Sequence, residues 1–199
     1  MGMETHDGGG EEEVSRPAQS ADLKRLCAEL NRLGARYVVI GGFAIIQHGF
    51  QRFTHDIDLL IETTPENEAR VIEALLILPD KAAREIKPGE VGEYGVVRVG
   101  DEILVDLMKS GCGVTYSDAV KDAVVENVDG VPIPFASAPT LWRMKQTVRA
   151  KDIPDRLFLR QLLEAQGIEV GSAEKDASED PLTLWWRRLR AKWKNRRST

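Results

Sequence analysis

Two aspartates inside an otherwise apolar strand constrain this chain more than any other feature. Asp56 and Asp58 lie in the run DIDLLI, which is typical of a strand from Asp56 to Ile61. Because successive strand residues point to opposite faces, the two carboxylates project from the same side. Two like charges on one face repel each other unless a cation lies between them. Hard oxygen ligands of this kind suit Mg²⁺, which usually shares its remaining positions with water and substrate phosphates.

The segment that precedes this strand predicts the other half of the same site. Residues 37–40 are expected to form an apolar strand that runs into Gly41-Gly42, and a short helix is expected from Phe43 to His48. A glycine turn that leads into a helix presents backbone N–H groups and a helix N-terminus to an anion. Together the two halves predict a site for a nucleoside triphosphate, such as ATP, and its metal.

The order and spacing of these residues resemble the signature of the nucleotidyltransferase superfamily related to DNA polymerase β. Gly41-Gly42 is followed, after thirteen residues, by Asp56-Ile57-Asp58-Leu59. Residues around this block are similar to bacterial abortive-infection toxin nucleotidyltransferases and other minimal members: these residues are Ala44, His48-Gly49, Arg52 and Thr54. The resemblance covers residues 21–168. Many members have serine where Gly42 stands, so phosphate binding here would depend more on backbone N–H groups and nearby cations.

A third carboxylate, Asp106, lies in the apolar run ILVDLM. A carboxylate buried among such residues needs a metal or a cation as its partner. In the superfamily that this chain resembles, a third carboxylate on a neighbouring strand completes the metal site or takes the proton from the attacking hydroxyl. Asp106 is the candidate for that place. The alternative is an aspartate on an edge strand that faces water.

The resemblance implies an enzyme that moves a nucleoside monophosphate from a nucleoside triphosphate to a hydroxyl, with one or two Mg²⁺ ions held by the three aspartates. Lysine and arginine neutralise the charge that grows on the phosphates in such a reaction. Arg52, Lys145 and Arg149 are candidates, and a helix over residues 139–149 would put the last two on one face. Each of these cations could instead be an ordinary exposed charge or an internal ion pair, for example with Asp152.

The acceptor is open between several classes of molecule. Similarity to toxin-like enzymes implies tRNA or a protein side chain as acceptor, and an antitoxin as a partner. A small molecule such as an aminoglycoside is the leading enzymatic alternative, because antibiotic-modifying members share the same Gly/Asp-x-Asp block. A catalytically silent antitoxin or interaction module is the alternative from a different class, against which the retained carboxylates argue.

Composition bounds the setting in which the chain works. With 199 residues and 42% apolar content, it can bury one substantial core. A net charge of −5 argues against a generic nucleic-acid binder. The two cysteines, Cys27 and Cys112, show neither a disulfide framework nor a metal spacing. No apolar run reaches the roughly 18 residues of a membrane span. These features favour a cytoplasmic protein without integral membrane contact.

The element order predicts an α/β (α+β) fold with a short mixed sheet, flanking helices and a C-terminal helical segment. We expect a helix from Ser117 to about Val125, and a segment from Val131 to Phe135 that its two prolines restrict to a sheet edge.

Four regions are expected along the chain. They are a disordered acidic N-terminus (1–20), a nucleotidyltransferase domain (21–168), a linker (169–181) and a basic amphipathic tail helix (182–199). The tryptophans and arginines of the tail suit docking on the domain or contact with an acceptor RNA, and less so an anionic membrane surface.

Overall fold

The computed structural model describes residues 15–168 and residue 170. The chain divides into two units, residues 1–147 and 148–199, which are taken separately below. The expected tail helix lies outside the described residues, as does the expected linker apart from residue 170. No helix in the described part combines the length and the apolar character that crossing a membrane requires.

The first unit is built on a mixed sheet of six strands in the order β3-β4-β2-β1-β8-β7. Strands β1–β2, β3–β4 and β7–β8 pair antiparallel, whereas β2–β4 and β1–β8 pair parallel. Its elements are α1 (Ser20–Arg32), β1 (Tyr37–Ile40), α2 (Gly41–Gln47), β2 (Asp56–Ile61), α3 (Pro65–Leu75), α4 (Glu90–Tyr94), β3 (Val96–Gly100), β4 (Leu104–Met108), β5 (Ser110–Gly111), β6 (Val114–Thr115), α5 (Tyr116–Ala119), β7 (Val124–Val128), β8 (Val131–Phe135) and α6 (Ala138–Met144). The second unit contains α7 (Ile153–Ala165), preceded by a 3₁₀ turn at Ala150–Asp152. The predicted α/β class with a mixed sheet is confirmed.

The core lies where the helices cover the two central strands. All four residues of β1 are buried, and so are Ile57 and the run from Leu59 to Ile61 in β2. Helix α1 packs against β8 and α3 with an apolar stripe at helical spacing, formed by Leu23, Leu26, Cys27 and Leu30. Burial on both faces explains why β1 and β2 are nearly continuous apolar runs, in which a charged residue stands out.

The start of α3 is fixed by the cap at its first turn. The hydroxyl oxygen of Thr64 accepts a hydrogen bond from the backbone N–H of Asn67 at 3.3 Å, and Pro65 takes the first helical position. The Asn67 side chain is itself buried, and its amide donates to the carbonyls of Arg36 and Glu62. This amide fixes the start of α3 to the ends of the two central strands.

The helix predicted from Ser117 to Val125 is wrong. Helix α5 ends at Ala119, and Val124 already belongs to strand β7. A tight turn at Asp129-Gly130, with φ of 49° and 88°, closes β7 and β8 into a hairpin. Two central residues with positive φ match the twist of a two-residue hairpin, and this turn together with the β-branched valines of β7 favours a strand over a helix.

The prediction that residues 131–135 form a sheet edge is also wrong, because β8 lies between β1 and β7. Pro132 and Pro134 occupy alternate positions of the hairpin. With a two-residue turn these are the non-hydrogen-bonded places, so neither proline needs an N–H toward β7. On the other side the ladder to β1 reaches only Phe135, which pairs with Val39. The prolines are therefore tolerated inside the sheet, and β7 forms the edge.

The expected disorder of residues 1–20 is wrong for the part from residue 15 onward. Arg16 forms ion pairs with Asp22 at 2.7 Å and with Glu102 at 2.9 Å, and its backbone forms a bridge beside Ile103. A guanidinium with two carboxylate partners is a strong local anchor. Helix α1 accordingly begins at Ser20.

The helix predicted over residues 139–149 ends at Met144, so Lys145 and Arg149 do not share a helical face. The last turn tightens, since the N–H of Gln146 bonds back three residues to the carbonyl of Arg143. The Gln146 side chain also donates to the Trp142 carbonyl at 2.7 Å, which occupies an acceptor that a longer helix would need. Lys145 is thus the cap of α6, and Arg149 belongs to the second unit.

Candidate active site

The structure brings the three predicted carboxylates together. Strands β2 and β4 are parallel neighbours in which Asp58 stands directly opposite Asp106, and Asp56 lies two residues earlier on the same face of β2. One carboxylate oxygen from each aspartate lies within 4.8 Å of the others. We call these residues the acidic triad. The resemblance to the superfamily implied this convergence, and the register of β2 and β4 accounts for it, because aspartates at one level of neighbouring strands lie side by side.

Asp106 is buried, while Asp56 and Asp58 are half-buried. Strand β4 is an inner strand between β3 and β2, so the alternative of an edge-strand aspartate facing water is wrong. Buried carboxylates are kept in proteins when a cation or a set of donors compensates them. The partners of each carboxylate therefore decide what the triad can do.

The environment of Asp58 opposes its ionisation. Burial, together with the negative charges of Asp56 and Asp106, raises the pKa of Asp58 to about 6. The charge of Lys145 and a hydrogen bond from the backbone N–H of Gly42 offset part of this effect. Negative charge thus exceeds its compensation at this point, which is the electrostatic condition for binding a cation.

The glycine pair is required by the close approach of α2 to β2. Gly41 has φ of +62°, and a Cβ at this position would overlap the Asp58 carboxylate. A Cβ at Gly42 would overlap the side chain of Thr54. Helix α2 therefore begins at Gly41, two residues earlier than predicted, and its first turn lies directly against the triad. The role of both glycines in lining phosphates stays a prediction.

One residue of the site, Arg98, was missed by the sequence reasoning. It lies on β3 directly opposite Asp106. Its Nε donates to Oδ1 of Asp106 and its Nη2 to Oδ2, both at 2.7 Å. The same Nη2 lies 3.6 Å from Oδ2 of Asp56. Such a two-pronged pair is geometrically specific, and the carboxylates beside it raise the pKa of Arg98 above its ordinary value. The register of the β3–β4 hairpin is the signal that could have revealed it.

The three cations predicted from the sequence have different surroundings. Lys145, at the end of α6, is near enough to lower the pKa of Asp58 by its charge. Arg52 lies between α2 and β2, where its Nε donates to the carbonyl of Phe53 at 3.1 Å. Arg149 belongs to the second unit and forms an ion pair with Asp152 at 2.9 Å, as one of the sequence alternatives had it. Lys145 is the predicted cation that the structure brings to the triad.

The two histidines beside this region serve the fold. Nε2 of His48 lies 2.9 Å from the carbonyl oxygen of Ala136, which joins the end of α2 to the residue after β8. This contact gives His48 a structural role. His55 has an exposed side chain, and its carbonyl accepts a hydrogen bond from the N–H of Ala18.

No family model and no curated protein sequence matches the chain. Among solved structures, the chain is similar to an antigenic nucleotidyltransferase-like protein from Paracoccidioides brasiliensis, with 19% identity and a TM-score of 0.45 over 73% of this chain and 78% of that one. It is also similar to a candidate nucleotidyltransferase from Thermotoga maritima, with 16% identity and a TM-score of 0.43 over 72% of this chain and 91% of that one. Both likenesses are too distant to carry an argument about activity, which depends on the side chains of the site.

Proposed function

We propose that this protein is a Mg²⁺-dependent nucleotidyltransferase, which transfers a nucleoside monophosphate from a nucleoside triphosphate to a hydroxyl and releases pyrophosphate. The observation that carries the proposal is the convergence of Asp56, Asp58 and Asp106 within 4.8 Å, next to the Gly41-Gly42 turn. The motif fixes only the order of these residues along the chain. Their convergence places three carboxylates where they could bind one cation together.

The donor set of the triad fits a hard divalent cation. It consists of carboxylate oxygens, which Mg²⁺ prefers over nitrogen and sulfur ligands. The raised pKa of Asp58 is a second point in favour, because a bound cation would relieve the repulsion that raises it. In this proposal Asp56, Asp58 and Asp106 hold one or two ions. When bound, Mg²⁺ supplies positive charge beside the α-phosphate and the leaving pyrophosphate.

In the proposed reaction, the acceptor hydroxyl oxygen forms a bond to the α-phosphorus, and the bond from that phosphorus to the bridging oxygen of the β-phosphate breaks. The electron pair leaves with pyrophosphate, and the hydroxyl proton passes to Asp106 or to water. Both oxygens of Asp106 accept N–H groups from Arg98, so either role requires Asp106 to use its remaining lone pairs or to exchange these contacts.

Charge on the phosphates needs cations from the chain as well. Lys145 is the best supported, because its charge already reaches Asp58. Arg52 and Arg149 remain proposals as nucleotide-binding residues on the sequence resemblance alone. Gly41 and Gly42 would contact phosphate oxygens through their N–H groups. Since Gly42 donates to Asp58, this contact requires the carboxylate and the phosphate to share or exchange that donor.

Transfer of label tests the proposal directly. The purified protein is incubated with MgCl₂, a cell lysate and each of the four α-³²P-labelled ribonucleoside triphosphates. We expect a labelled macromolecule with the wild-type protein and at least a hundredfold less with Asp58→Asn, as for loss of a group that stabilises the transition state. Asp129→Asn is the matched control, because Asp129 is an exposed aspartate at a turn whose positive φ asparagine also adopts. Equal labelling by wild type and Asp58→Asn would overturn the proposal.

The acceptor is proposed to be tRNA or a protein side chain, on the resemblance to toxin-like enzymes. Digestion of the labelled product with ribonuclease or with protease separates the two. Growth arrest on expression, relieved by Asp58→Asn and by a co-expressed antitoxin partner, would support the toxin role in a cytoplasmic setting. Antibiotic resistance on expression, without a labelled macromolecule, would instead favour a small-molecule acceptor.

A further inference from the structure

We propose that Arg98 is the internal counter-cation of the acidic triad, and that it competes with a divalent ion for Asp106 and Asp56. In this role Arg98 is a positioning residue: it holds Asp106 and Asp56, and it weakens the binding of a free divalent cation to them. The inference rests on the proposed metal site and names the residue that regulates its loading.

The contacts of the guanidinium are those that a metal ion would need. Nη2 of Arg98 lies 2.7 Å from Oδ2 of Asp106 and 3.6 Å from Oδ2 of Asp56, so it stands between two carboxylates of the triad. An ion bound by both of these carboxylates would draw on the same negative charge. Removing one guanidinium from beside three carboxylates changes the formal charge of the group from −2 to −3. Coulomb attraction for a divalent ion rises accordingly.

The position of Arg98 allows it to leave. Its side chain is 57% exposed, whereas that of its partner Asp106 is 11% exposed. Strand β3 is the edge strand on its side of the described sheet, with β4 as its neighbour and no described strand beyond it. A long side chain rooted on an edge strand can turn toward water without disturbing the core. The carboxylate is fixed and the cation is movable, which is the arrangement that an exchange requires.

The Arg98–Asp106 pair also differs from an ordinary surface ion pair. A comparable arginine, Arg36, forms an exposed ion pair with Glu62 at 2.7 Å and has nearly the same exposure, 56%. That pair lies past the far end of β2, where Tyr37 opposes Ile61, and within the described part of the chain it joins no other carboxylate. Arg98 instead faces two members of a group of three acids. Removal of Arg36 therefore serves as a matched control for loss of an exposed, paired arginine.

Binding of MnCl₂ alone, without nucleotide, tests the inference by isothermal titration calorimetry. We expect Arg98→Ala to bind Mn²⁺ about tenfold more tightly than wild type. The factor is no larger because solvent screens the charge of the exposed Arg98 side chain. Arg98→Lys keeps the charge and is expected to stay near the wild-type affinity. Arg36→Ala is expected to match wild type. Unchanged or weaker binding by Arg98→Ala would overturn the inference.

Thermal unfolding gives a second readout that activity does not enter. In a chelating buffer, Arg98→Ala should unfold at a lower temperature than wild type, because Asp106 and Asp56 then lack the guanidinium that offsets their charge. Added MnCl₂ should raise the Tm of Arg98→Ala by more than that of wild type, since stabilisation by a ligand grows with its affinity. A purely structural role predicts the loss of stability without recovery by Mn²⁺, and that result would count against the inference.

Failure of the two proposals can be told apart. If neither wild type nor Arg98→Ala binds Mn²⁺, the metal site itself is wrong and the inference falls with it. If wild type binds Mn²⁺ through the triad, as shown by loss of binding in Asp56→Asn, and Arg98→Ala binds equally well, only the inference is wrong. If only Arg98→Ala binds measurably, the competition is supported in its strongest form.

Discussion

Two carboxylates of this protein, Glu68 and Asp58, differ in how their charge is balanced. Glu68 on α3 is fully buried and accepts three backbone N–H groups, from Gly89 at 2.6 Å, Val91 at 3.2 Å and Gly92 at 2.9 Å. Asp58 is less buried but faces two other carboxylates, which help to raise its pKa. The comparison teaches that burial alone does not indicate function. A structural carboxylate is surrounded by fixed donors, whereas a functional one keeps an unbalanced charge that a ligand can meet.

The largest effect on stability is expected at the structural carboxylate. Glu68→Ala leaves the N–H groups at the start of α4 without their acceptor, and we expect a loss of about 3 kcal/mol in the free energy of unfolding. Urea denaturation followed by circular dichroism measures it. Glu66→Ala, at an exposed position of the same helix, should lose no more than about 0.5 kcal/mol. A similar loss of stability from Glu68→Ala and Glu66→Ala would contradict the structural role of Glu68.

The next largest effect is expected at Gly41, where backbone strain and a clash with Asp58 can be separated. Gly41→Ala adds a methyl group that overlaps the carboxylate of Asp58 at a residue with φ of +62°. We expect a loss of about 2 kcal/mol in stability and loss of label transfer. Gly34→Ala is matched in backbone, with φ of +65°, but its added Cβ meets no atom within 4 Å. It should lose about 1 kcal/mol and keep activity, so full activity in Gly41→Ala would show that the contact with Asp58 does not matter.

The smallest expected effect is the change with pH in the stability of Asp58→Asn relative to wild type. The pKa of Asp58 is raised to about 6 in the folded protein from 3.8, so its favourable contribution is present below the lower value and is lost as the pH rises through about 6. In a chelating buffer Asp58→Asn should therefore gain on wild type as the pH rises from 4 to 7. After allowance for solvent screening, we expect a gain of about 1 kcal/mol at pH 7. A stability difference that is flat with pH would contradict the electrostatic account of this carboxylate.

Most of the fold could be predicted from local signals. The Gly41-Gly42 turn, the Thr64 cap and the apolar runs of the central strands each specify one element with little help from the rest of the chain. The errors arose where distant contacts decide. The local pattern predicts a helix at Val124, because the strand partner β8 comes later in the chain. The prolines of β8 were expected at an edge because their missing N–H groups matter only when the neighbouring ladder is known.

The site shows the same division between local and distant information. Asp56 and Asp58 follow from one strand, and Asp106 follows from its apolar surroundings. Arg98 could not be inferred from its own neighbours, because its function depends on the register that sets it opposite Asp106. The sequence pattern predicts Lys145 and Arg149 on one helical face, but the tightened last turn of α6 ends the helix at Met144. Local residue patterns thus do not show which residues face each other on neighbouring strands.

The order of the acidic residues along the chain has a consequence for how the protein folds. Arg98 and Asp106 are 8 residues apart on a hairpin, whereas Asp58 lies much farther back in the chain, on the far side of α3 and α4. Short loops close faster and at lower entropic cost than long ones, so the β3–β4 hairpin can form before β4 joins β2. The third carboxylate would then reach the other two already paired with its cation. We expect kinetic measurements on Arg98→Ala to show slower folding, because three like charges must otherwise meet in the step that closes the long loop.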